Sequence, residues 1–188
     1  MRYPPPPPVV AESSRDPVSL RDKIGWSAGV CVDQFGNVGV NSLASQAMPM
    51  IYLMSPAAVG SVLGAVRLYD AILDPLMGRI SDNCRHAWGR RKPFILAGSI
   101  SCALLSVLFW IPSPTWSDSS KLIYFAAVSA LFYTAFTVFT VPWRAMGFEL
   151  TTDYGERTGI YSVMTIVIRL FQLGFVWVYP IAFYGWLG

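Results

Sequence analysis

The sequence predicts an all-α membrane protein built from about five transmembrane helices. Two observations carry this prediction. Of the 188 residues, 54% are hydrophobic and only 13% are charged, whereas a soluble domain carries about 25% charged residues because its surface must interact with water. The hydrophobic residues are also gathered into five long segments, each close to or above the ~20 residues that a helix needs to cross the ~30 Å hydrocarbon core.

A proline-rich tail is expected to precede the first span, over residues 1–23. It contains the run Pro4 to Pro8, and proline lacks the amide hydrogen that helices and sheets require. We expect this tail to be disordered and cytoplasmic. The transmembrane domain is expected over residues 24–188, with spans at about 24–50, 59–80, 93–111, 122–141 and 159–186. Glycines that would permit close helix packing occur in the first span, at Gly25, Gly29, Gly36 and Gly39.

Basic residues predict which ends of the spans face the cytoplasm. They cluster in the tail and in the second-to-third and fourth-to-fifth connections, whereas the opposite connections hold only Lys121. Cytoplasmic loops carry the excess of Lys and Arg, so we expect a multi-pass plasma-membrane protein with a cytoplasmic amino terminus. The residues of these clusters are Arg2, Arg15, Arg21 and Lys23; Arg79, Arg85, Arg90, Arg91 and Lys92; and Arg144 and Arg157.

Three charged residues interrupt the second predicted span. Arg67, Asp70 and Asp74 are spaced i, i+3, i+7, which places them on one face of a helix. A charge at mid-membrane costs about 2.5–3.5 kcal/mol on insertion scales, so these side chains should face the bundle interior. We predict a cation site at Asp70 and Asp74, with Na⁺ as the one metal ion considered. The alternative is a structural Arg67–Asp70 ion pair that locks helices together.

The first span carries a polar stripe of its own. Asp33, Asn37 and Asn41 recur every four residues, so one helix face can offer donors and acceptors to a water-filled cavity. A hydroxylated solute needs such partners, because each buried hydroxyl must be hydrogen-bonded. We therefore predict that Asp33 and Asn37, together with Arg67, bind a solute. Polar bonding between helices is the alternative.

Two further spans add polar residues at helical spacing. The fourth carries Thr134, Thr137 and Thr140, and the fifth carries Thr165 and Arg169 on one face. We expect Arg169 to bind a solute hydroxyl or to neutralise a carboxylate from another helix. An isolated arginine facing lipid at that depth is the least plausible arrangement.

The residue pattern favours a carrier over an enzyme or a nucleic-acid-binding protein. The net charge of +3 is small and dispersed, unlike the basic patch of a nucleic-acid-binding surface. The sequence shows no nucleophile paired with a base, no phosphate-binding glycine loop and no metal-ligand cluster. We therefore predict no enzymatic activity and no cofactor apart from a coupling ion, H⁺ or Na⁺.

The stretch GRISDNCRHAWGRRKP, residues 78–93, resembles the conserved loop between the second and third spans of the major facilitator superfamily. We expect the aspartate of this loop to pair with its arginines and to act as a gating latch. The alternative is that the basic cluster only fixes topology. The residues that carry the pattern are Gly78, Asp82, Gly89, Arg90 and Arg91.

Two longer motifs resemble the glycoside–pentoside–hexuronide:cation symporter family of that superfamily. RLYDAILDPLMG leads into the loop, and VPWRAMGFELTTDYGERTGI covers residues 141–160. The resemblance runs from about residue 24 onward and implies a fold of two six-helix halves with the solute bound between them. This chain would form an incomplete amino-terminal half. Further carboxy-terminal helices are expected in the full-length protein or in a partner chain.

The resemblance implies cation-coupled symport of a sugar or glycoside by alternating access, in a lipid bilayer. It places the cation-site aspartates of the family on Asp70 and Asp74, a cation-site threonine on Thr137, and the sugar-binding aspartate of the first span on Asp33. Thr140 stands where the family pattern has an aspartate shared by sugar and cation, so we include it in the cation site.

Two other positions depart from the family pattern. Leu73 replaces an asparagine between the paired aspartates, and the sugar-site arginine of the fifth span aligns with Thr165, one turn from Arg169. Fewer oxygen ligands favour H⁺ over Na⁺, because a proton needs one carboxylate rather than a full coordination shell. Because fold does not fix function, a uniporter or efflux carrier of the same fold, or a truncated non-transporting membrane subunit, is the alternative.

Overall fold

The computed structural model describes residues 18–85, 88–112, 115–151 and 153–187. Over these residues the regular elements are all helices, which confirms the all-α prediction. Residues 1–17 of the expected tail lie outside the described residues. Each of the five predicted spans overlaps one helix or, for the first span, a series of helical segments, with bounds that differ by up to eight residues.

The first predicted span is built from four consecutive helical segments. These are α1 (Leu20–Ser27), α2 (Gly29–Gln34), a π-helical segment (Phe35–Val40) and α3 (Asn41–Tyr52). The remaining helices are α4 (Pro56–Asn83), α5 (Lys92–Leu108), α6 (Asp118–Glu149) and α7 (Tyr154–Leu187).

Helix α1 begins inside the range that was expected to be a tail. Ser19 caps its amino terminus, because the Ser19 Oγ accepts a hydrogen bond from the amide of Asp22 at 3.2 Å. The Lys23 Nζ lies 2.8 Å from Glu156 Oε2 at the start of α7. These contacts explain why the chain becomes helical at Leu20, ahead of the first apolar run.

Helices α4 and α6 are long and apolar enough to cross a membrane by length and composition, and α5 is a shorter apolar helix. Helix α6 continues through Pro142 to Glu149, beyond the predicted end at residue 141. A proline is tolerated inside membrane helices because neighbouring groups satisfy the backbone that it leaves unpaired. The expectation that Arg144 lies in a connection is therefore wrong, since this residue belongs to α6.

Helix α6 is the centre of the bundle and packs against both α4 and α5. Its aromatic residues Phe132, Tyr133 and Phe136 are at most 3% exposed and belong to a core shared with α3, α4 and α5. By contrast, α4 exposes Leu68 and Ile72, at 73% and 72%. Such an apolar surface is costly in water but suits contact with lipid or with further membrane helices.

Two tryptophans join α1 to α6. The indole Nε1 of Trp26 donates to the Trp143 carbonyl at 3.1 Å, and the Trp143 Nε1 donates to the Trp26 carbonyl at 3.0 Å. The rings stack with their centroids 5.2 Å apart, so both buried indole N–H groups are satisfied. Gly29 lies against the ring of Trp143, and Gly147 lies against the ring of Trp26. We call this pair of tryptophans the tryptophan clasp.

Alanine substitution of two glycines in the first span should have opposite consequences. In Gly29→Ala the new Cβ would overlap the Trp143 ring, and we expect overpacking to lower the free energy of unfolding by about 1–3 kcal/mol. In Gly25→Ala the Cβ meets nothing within 4 Å, so the change should be neutral or stabilising by up to about 1 kcal/mol. Thermal unfolding in detergent measures both. Equal shifts in the two variants would contradict the packing at the clasp.

Candidate functional site

A polar cavity of about 120 Å³ lies between the π-helical segment, α4 and α6. All but one of the side chains that line it are polar or charged. They are Asn37, Arg67, Asp70, Asp74, Phe136, Thr137, Thr140 and Arg144. A cavity of this polarity between apolar helices marks a place where a polar ligand can be bound inside the bundle.

One side of the cavity is organised around Asp33 of α2, which is 6% exposed. Its Oδ1 accepts hydrogen bonds from Arg144 Nη2 at 2.8 Å and from Asn37 Nδ2 at 3.3 Å. The Asn37 Oδ1 in turn accepts from Arg67 Nη1 at 3.3 Å. The buried charge of Asp33 is therefore paired and hydrogen-bonded, which such a carboxylate requires.

The other side of the cavity is organised around Asp70 of α4. Its Oδ2 lies 3.8 Å from Arg67 Nη1, and its Oδ1 accepts a hydrogen bond from Thr137 Oγ1 at 2.5 Å. The guanidinium of Arg67 also lies over the ring of Tyr133, 5.0 Å from its centroid. Arg67 thus connects the two sides. We call the resulting series of contacts the polar chain, which runs through Arg144, Asp33, Asn37, Arg67, Asp70 and Thr137.

Two polar residues of the cavity stand outside the polar chain. The Thr140 Oγ1 is buried without a hydrogen-bond partner, and among the described residues Asp74 has no ion pair within 4 Å. Asp70 and Arg144 line the same cavity as Asp74. A buried hydroxyl without a partner is uncommon unless a ligand completes it, whereas Asp74 is exposed and needs no partner from the protein.

The π-helical segment shapes the wall that α2 and α3 present to the cavity. A π turn carries one more residue than an α turn and is frequent at functional sites. Here it contains Gly36, which lies against the Phe136 ring, and Asn37, whose carbonyl accepts from Asn41 Nδ2 at 3.0 Å. The close approach at Gly36 lets the neighbouring Asn37 reach both Asp33 and α4.

The structure brings together most of the residues that the sequence singled out for cation or solute binding. Thr165 and Arg169 of α7 lie outside this cavity and are exposed. The Thr165 Oγ1 donates to the Tyr161 carbonyl of its own helix at 2.8 Å, and Arg169 Nη1 donates to Gln172 Oε1 at 3.2 Å. Gln172 then donates to Gln34 of α2 at 3.2 Å, so this face of α7 joins helices together.

Arg144 is the residue of the cavity that sequence reasoning missed. It follows Thr137 and Thr140 at i+7 and i+4, which places all three on one helix face. This spacing is visible in the sequence, but the predicted helix ended before Pro142 and therefore excluded Arg144. Continuing the helical spacing through the proline would have found it.

A second cluster of charges joins the ends of α4 and α6. Arg91 Nη2 donates to Asp82 Oδ1 at 2.8 Å, and Arg91 Nη1 lies 2.8 Å from Glu149 Oε2. Arg90 Nη2 donates to the other oxygen of Glu149 at 2.6 Å. Gly89 has a φ of +102°, a conformation that glycine adopts without strain. Glu149 was not singled out from the sequence.

The remaining residue of this loop pattern, Gly78, lies within α4 and would place a Cβ at 3.8 Å from Val141 of α6. That is ordinary van der Waals contact, so the helices approach closely here without requiring glycine. The cluster of Asp82, Arg90, Arg91 and Glu149 therefore provides the ionic connection between the two helix ends.

The fold and the cavity define a membrane-embedded helical bundle with a polar interior site. Residues 49–188 match the family described as MFS/sugar transport protein, where MFS stands for major facilitator superfamily. The chain belongs to this family, and its helices form an incomplete amino-terminal bundle of that fold.

Several curated proteins are similar to the chain. The inner membrane symporter YicJ of Escherichia coli K12 is 31% identical over 156 residues, which cover 77% of this chain and 31% of that protein. The putative glycoside/cation symporter YagG of Escherichia coli K12 is 30% identical, with 77% and 31% covered. An uncharacterized symporter of Synechocystis sp. is 40% identical over 114 residues, with 57% and 21% covered. The chain thus spans about a fifth to a third of the length of these relatives.

Valine substitution of the two cavity threonines should separate a structural hydroxyl from a binding hydroxyl. Thr137→Val removes the hydrogen bond to Asp70, and we expect a loss of about 1.5–3 kcal/mol in the free energy of unfolding. Thr140→Val removes a buried hydroxyl that has no partner, so stability should be unchanged or higher. Thermal unfolding of both variants checks this pair, and a larger loss in Thr140→Val would contradict the geometry.

Proposed function

We propose that the chain is part of a secondary transporter that couples the movement of a sugar or glycoside to a cation by alternating access. The observation that carries the proposal is the pair of carboxylates, Asp70 and Asp74, that line a polar cavity on a helix long enough to cross a membrane. Similarity to proteins named as symporters, one of them a putative glycoside/cation symporter, supports the same activity.

The charges around the cavity favour the binding of one monovalent cation. Asp33, Asp70 and Asp74 contribute three negative charges, and Arg67 and Arg144 contribute two positive ones. The difference is one negative charge, which is costly in a low-dielectric interior. A single H⁺ or Na⁺ at Asp74 would balance it.

The cation site that we propose consists of Asp74 and Asp70 with the hydroxyls of Thr137 and Thr140. Asp70 is already engaged by Thr137 and by Arg67, whereas Asp74 and Thr140 are available. Few free oxygen ligands favour H⁺, because a proton needs a single carboxylate while a metal ion needs several oxygens. We therefore propose H⁺ as the coupling ion, with Na⁺ as the alternative that the transport experiment below distinguishes.

The solute site that we propose lies on the Asp33 side of the cavity. Asp33 offers acceptors, Asn37 offers both a donor and an acceptor, and Arg67 offers donors, which together suit the hydroxyls of a sugar. Thr165 and Arg169 remain candidates for this role only if α7 changes its position during transport, because both are outside the cavity in this conformation.

We also propose that the end of the bundle with the cluster of Asp82, Arg90, Arg91 and Glu149 faces the cytoplasm. The Lys23–Glu156 ion pair joins α1 to α7 at the amino-terminal ends of these helices. Basic residues concentrate at cytoplasmic ends of membrane helices, and the latch role expected for Asp82 requires ion pairs that hold helix ends together. Three such pairs are present.

Neutralising either cavity aspartate of α4 should abolish coupled transport. We expect Asp70→Asn and Asp74→Asn each to reduce gradient-driven accumulation of labelled sugars to the level of passive equilibration, because the cation loses its charged ligand. The measurement uses vesicles that contain the complete protein with this sequence, with a proton or a sodium gradient. Substrate-dependent pH change in weakly buffered vesicles separates H⁺ symport from Na⁺ symport and from uniport.

Asp22→Asn is the matched control, because it removes the same charge from an exposed residue in the first turn of α1. Asp22 contacts Ser19 and does not line the cavity. This variant should accumulate sugar as the wild type does. Accumulation that persists in both Asp70→Asn and Asp74→Asn would refute the cation site.

Labelling of Cys84 should report the orientation of the bundle. Cys84 is partly exposed directly after α4, whereas Cys102 is buried in the core. In a variant with Cys31→Ser and Cys102→Ser, a membrane-impermeant maleimide should modify Cys84 in inverted vesicles and leave it unmodified in intact cells. The opposite labelling pattern would show that the basic end faces outward.

A further inference from the structure

Arg144 pairs with a carboxylate of one helix and shares a cavity with a carboxylate of another. Its Nη2 donates to Asp33 Oδ1 of α2 at 2.8 Å, and it lines the same cavity as Asp74 of α4. The Asp33 side chain is 8% exposed and therefore fixed by packing, whereas the Arg144 side chain is 55% exposed. The guanidinium thus has room to move, with one carboxylate as its partner and a second carboxylate in the same cavity.

The backbone that carries Arg144 is held in place. The preceding residue, Trp143, is 1% exposed and forms the tryptophan clasp with Trp26. Any change of partner by Arg144 is therefore confined to its long side chain. A flexible side chain on a fixed backbone is suited to exchanging contacts without a change in helix packing.

The other charged and titratable groups around the cavity cannot take this role. Arg67 of α4 already contacts Asn37, Asp70 and the ring of Tyr133. Asp70 is engaged by Arg67 and by Thr137. Among the described residues that line the cavity, this leaves Arg144 as the arginine that contacts one carboxylate and no other side chain and that has a largely accessible side chain.

We infer that Arg144 communicates the occupancy of Asp74 to Asp33, an inference that rests on the proposed function. When Asp74 holds no cation, its negative charge attracts the Arg144 guanidinium and weakens the contact with Asp33. When a cation neutralises Asp74, Arg144 is released to form its pair with Asp33. The paired groups then present guanidinium donors and carboxylate acceptors side by side, which is the surface that binds the hydroxyls of the solute.

This arrangement makes cation and solute binding cooperative in the direction that symport requires. The cation increases solute affinity because it completes the Arg144–Asp33 pair, and linkage requires that the solute increases cation affinity by the same factor. Coupling between sites in proteins is typically about 5–150-fold, and we expect a value in this range. Arg144 is thus part of the solute site and not a ligand of the cation.

The experiment measures solute affinity with and without the cation in the complete protein that contains this sequence, reconstituted in nanodiscs. The probes are methyl β-D-glucoside, which is neutral, and methyl β-D-glucuronide, which is acidic. Isothermal titration at acidic and alkaline pH, with and without NaCl, gives the ratio of dissociation constants. For the wild type we expect a ratio of about 5-fold or more for at least one probe.

In Arg144→Gln the ratio should fall below about 2-fold, because the neutral amide no longer responds to the charge at Asp74. Arg144→Lys keeps the positive charge, so its ratio of dissociation constants should lie between those of the wild type and Arg144→Gln. The matched control is Arg79→Gln, which removes the same charge from an exposed residue of α4 that does not line the cavity. Its ratio should equal that of the wild type.

A second variant separates loss of coupling from loss of folding. It is needed because Arg144→Gln leaves the buried Asp33 carboxylate without its arginine partner, which destabilises the fold. Asp33→Asn combined with Arg144→Gln removes both charges, and it should unfold at the wild-type temperature while its ratio stays below about 2-fold. A coupled wild type with a ratio unchanged in both variants would overturn the inference alone. A wild type that binds neither probe, or binds both equally under all conditions, would overturn the proposed function and the inference with it.

Discussion

The interior of this bundle depends on one constraint, which is that charges placed among apolar helices must be paired. Asp33, Arg67, Asp70 and Arg144 meet this requirement through contacts that cross three separate segments of the chain. The Arg67–Asp70 pair lies within α4. The contacts of Arg144 with Asp33 and of Arg67 with Asn37 join different segments, so they also help to fix the relative positions of the first span, α4 and α6. Function and architecture are therefore difficult to separate at this site.

Helix α6 shows how the bundle combines rigidity with polarity. On one face its aromatic side chains form the core with α3, α4 and α5. On another face Thr137, Thr140 and Arg144 line the cavity. The tryptophan clasp lies directly beside Arg144, and its four hydrogen-bonding groups are all satisfied within the protein. A rigid helix that carries the polar residues holds them at defined distances from α4, which a loop would not do.

The sequence was sufficient to predict the fold and much of the cavity, because helical spacing is a local property. The stripe of Asp33 and Asn37 and the face of Arg67, Asp70 and Asp74 follow from periods near 3.6 residues, and the membrane solvent requires such side chains to face inward. The pairing of Asp33 with Arg144 could not be predicted in this way. It depends on how α2 is rotated against α6, which is set by packing at Gly29 and Gly36.

Helix α1 begins earlier, and helix α6 ends later, than the sequence predicted. Helix α6 continues past Pro142, and α1 begins ahead of the first apolar run, because contacts of nearby side chains stabilise both extensions. Ser19 and the Lys23–Glu156 ion pair act at α1, and Glu149 is held at the end of α6 by Arg90 and Arg91. Local propensity alone does not contain such long-range terms.

The π-helical segment of residues 35–40 gives the first span an unusual tolerance of a change in chain length. A π turn holds one residue more than an α turn, so deleting one residue there would leave an ordinary turn and keep Asp33 directed at its arginine. The same deletion within α3 would turn everything on its amino-terminal side by about 100° relative to the rest of the span. Loss of a single residue among natural homologues should therefore be more common in these six residues than elsewhere in the first span.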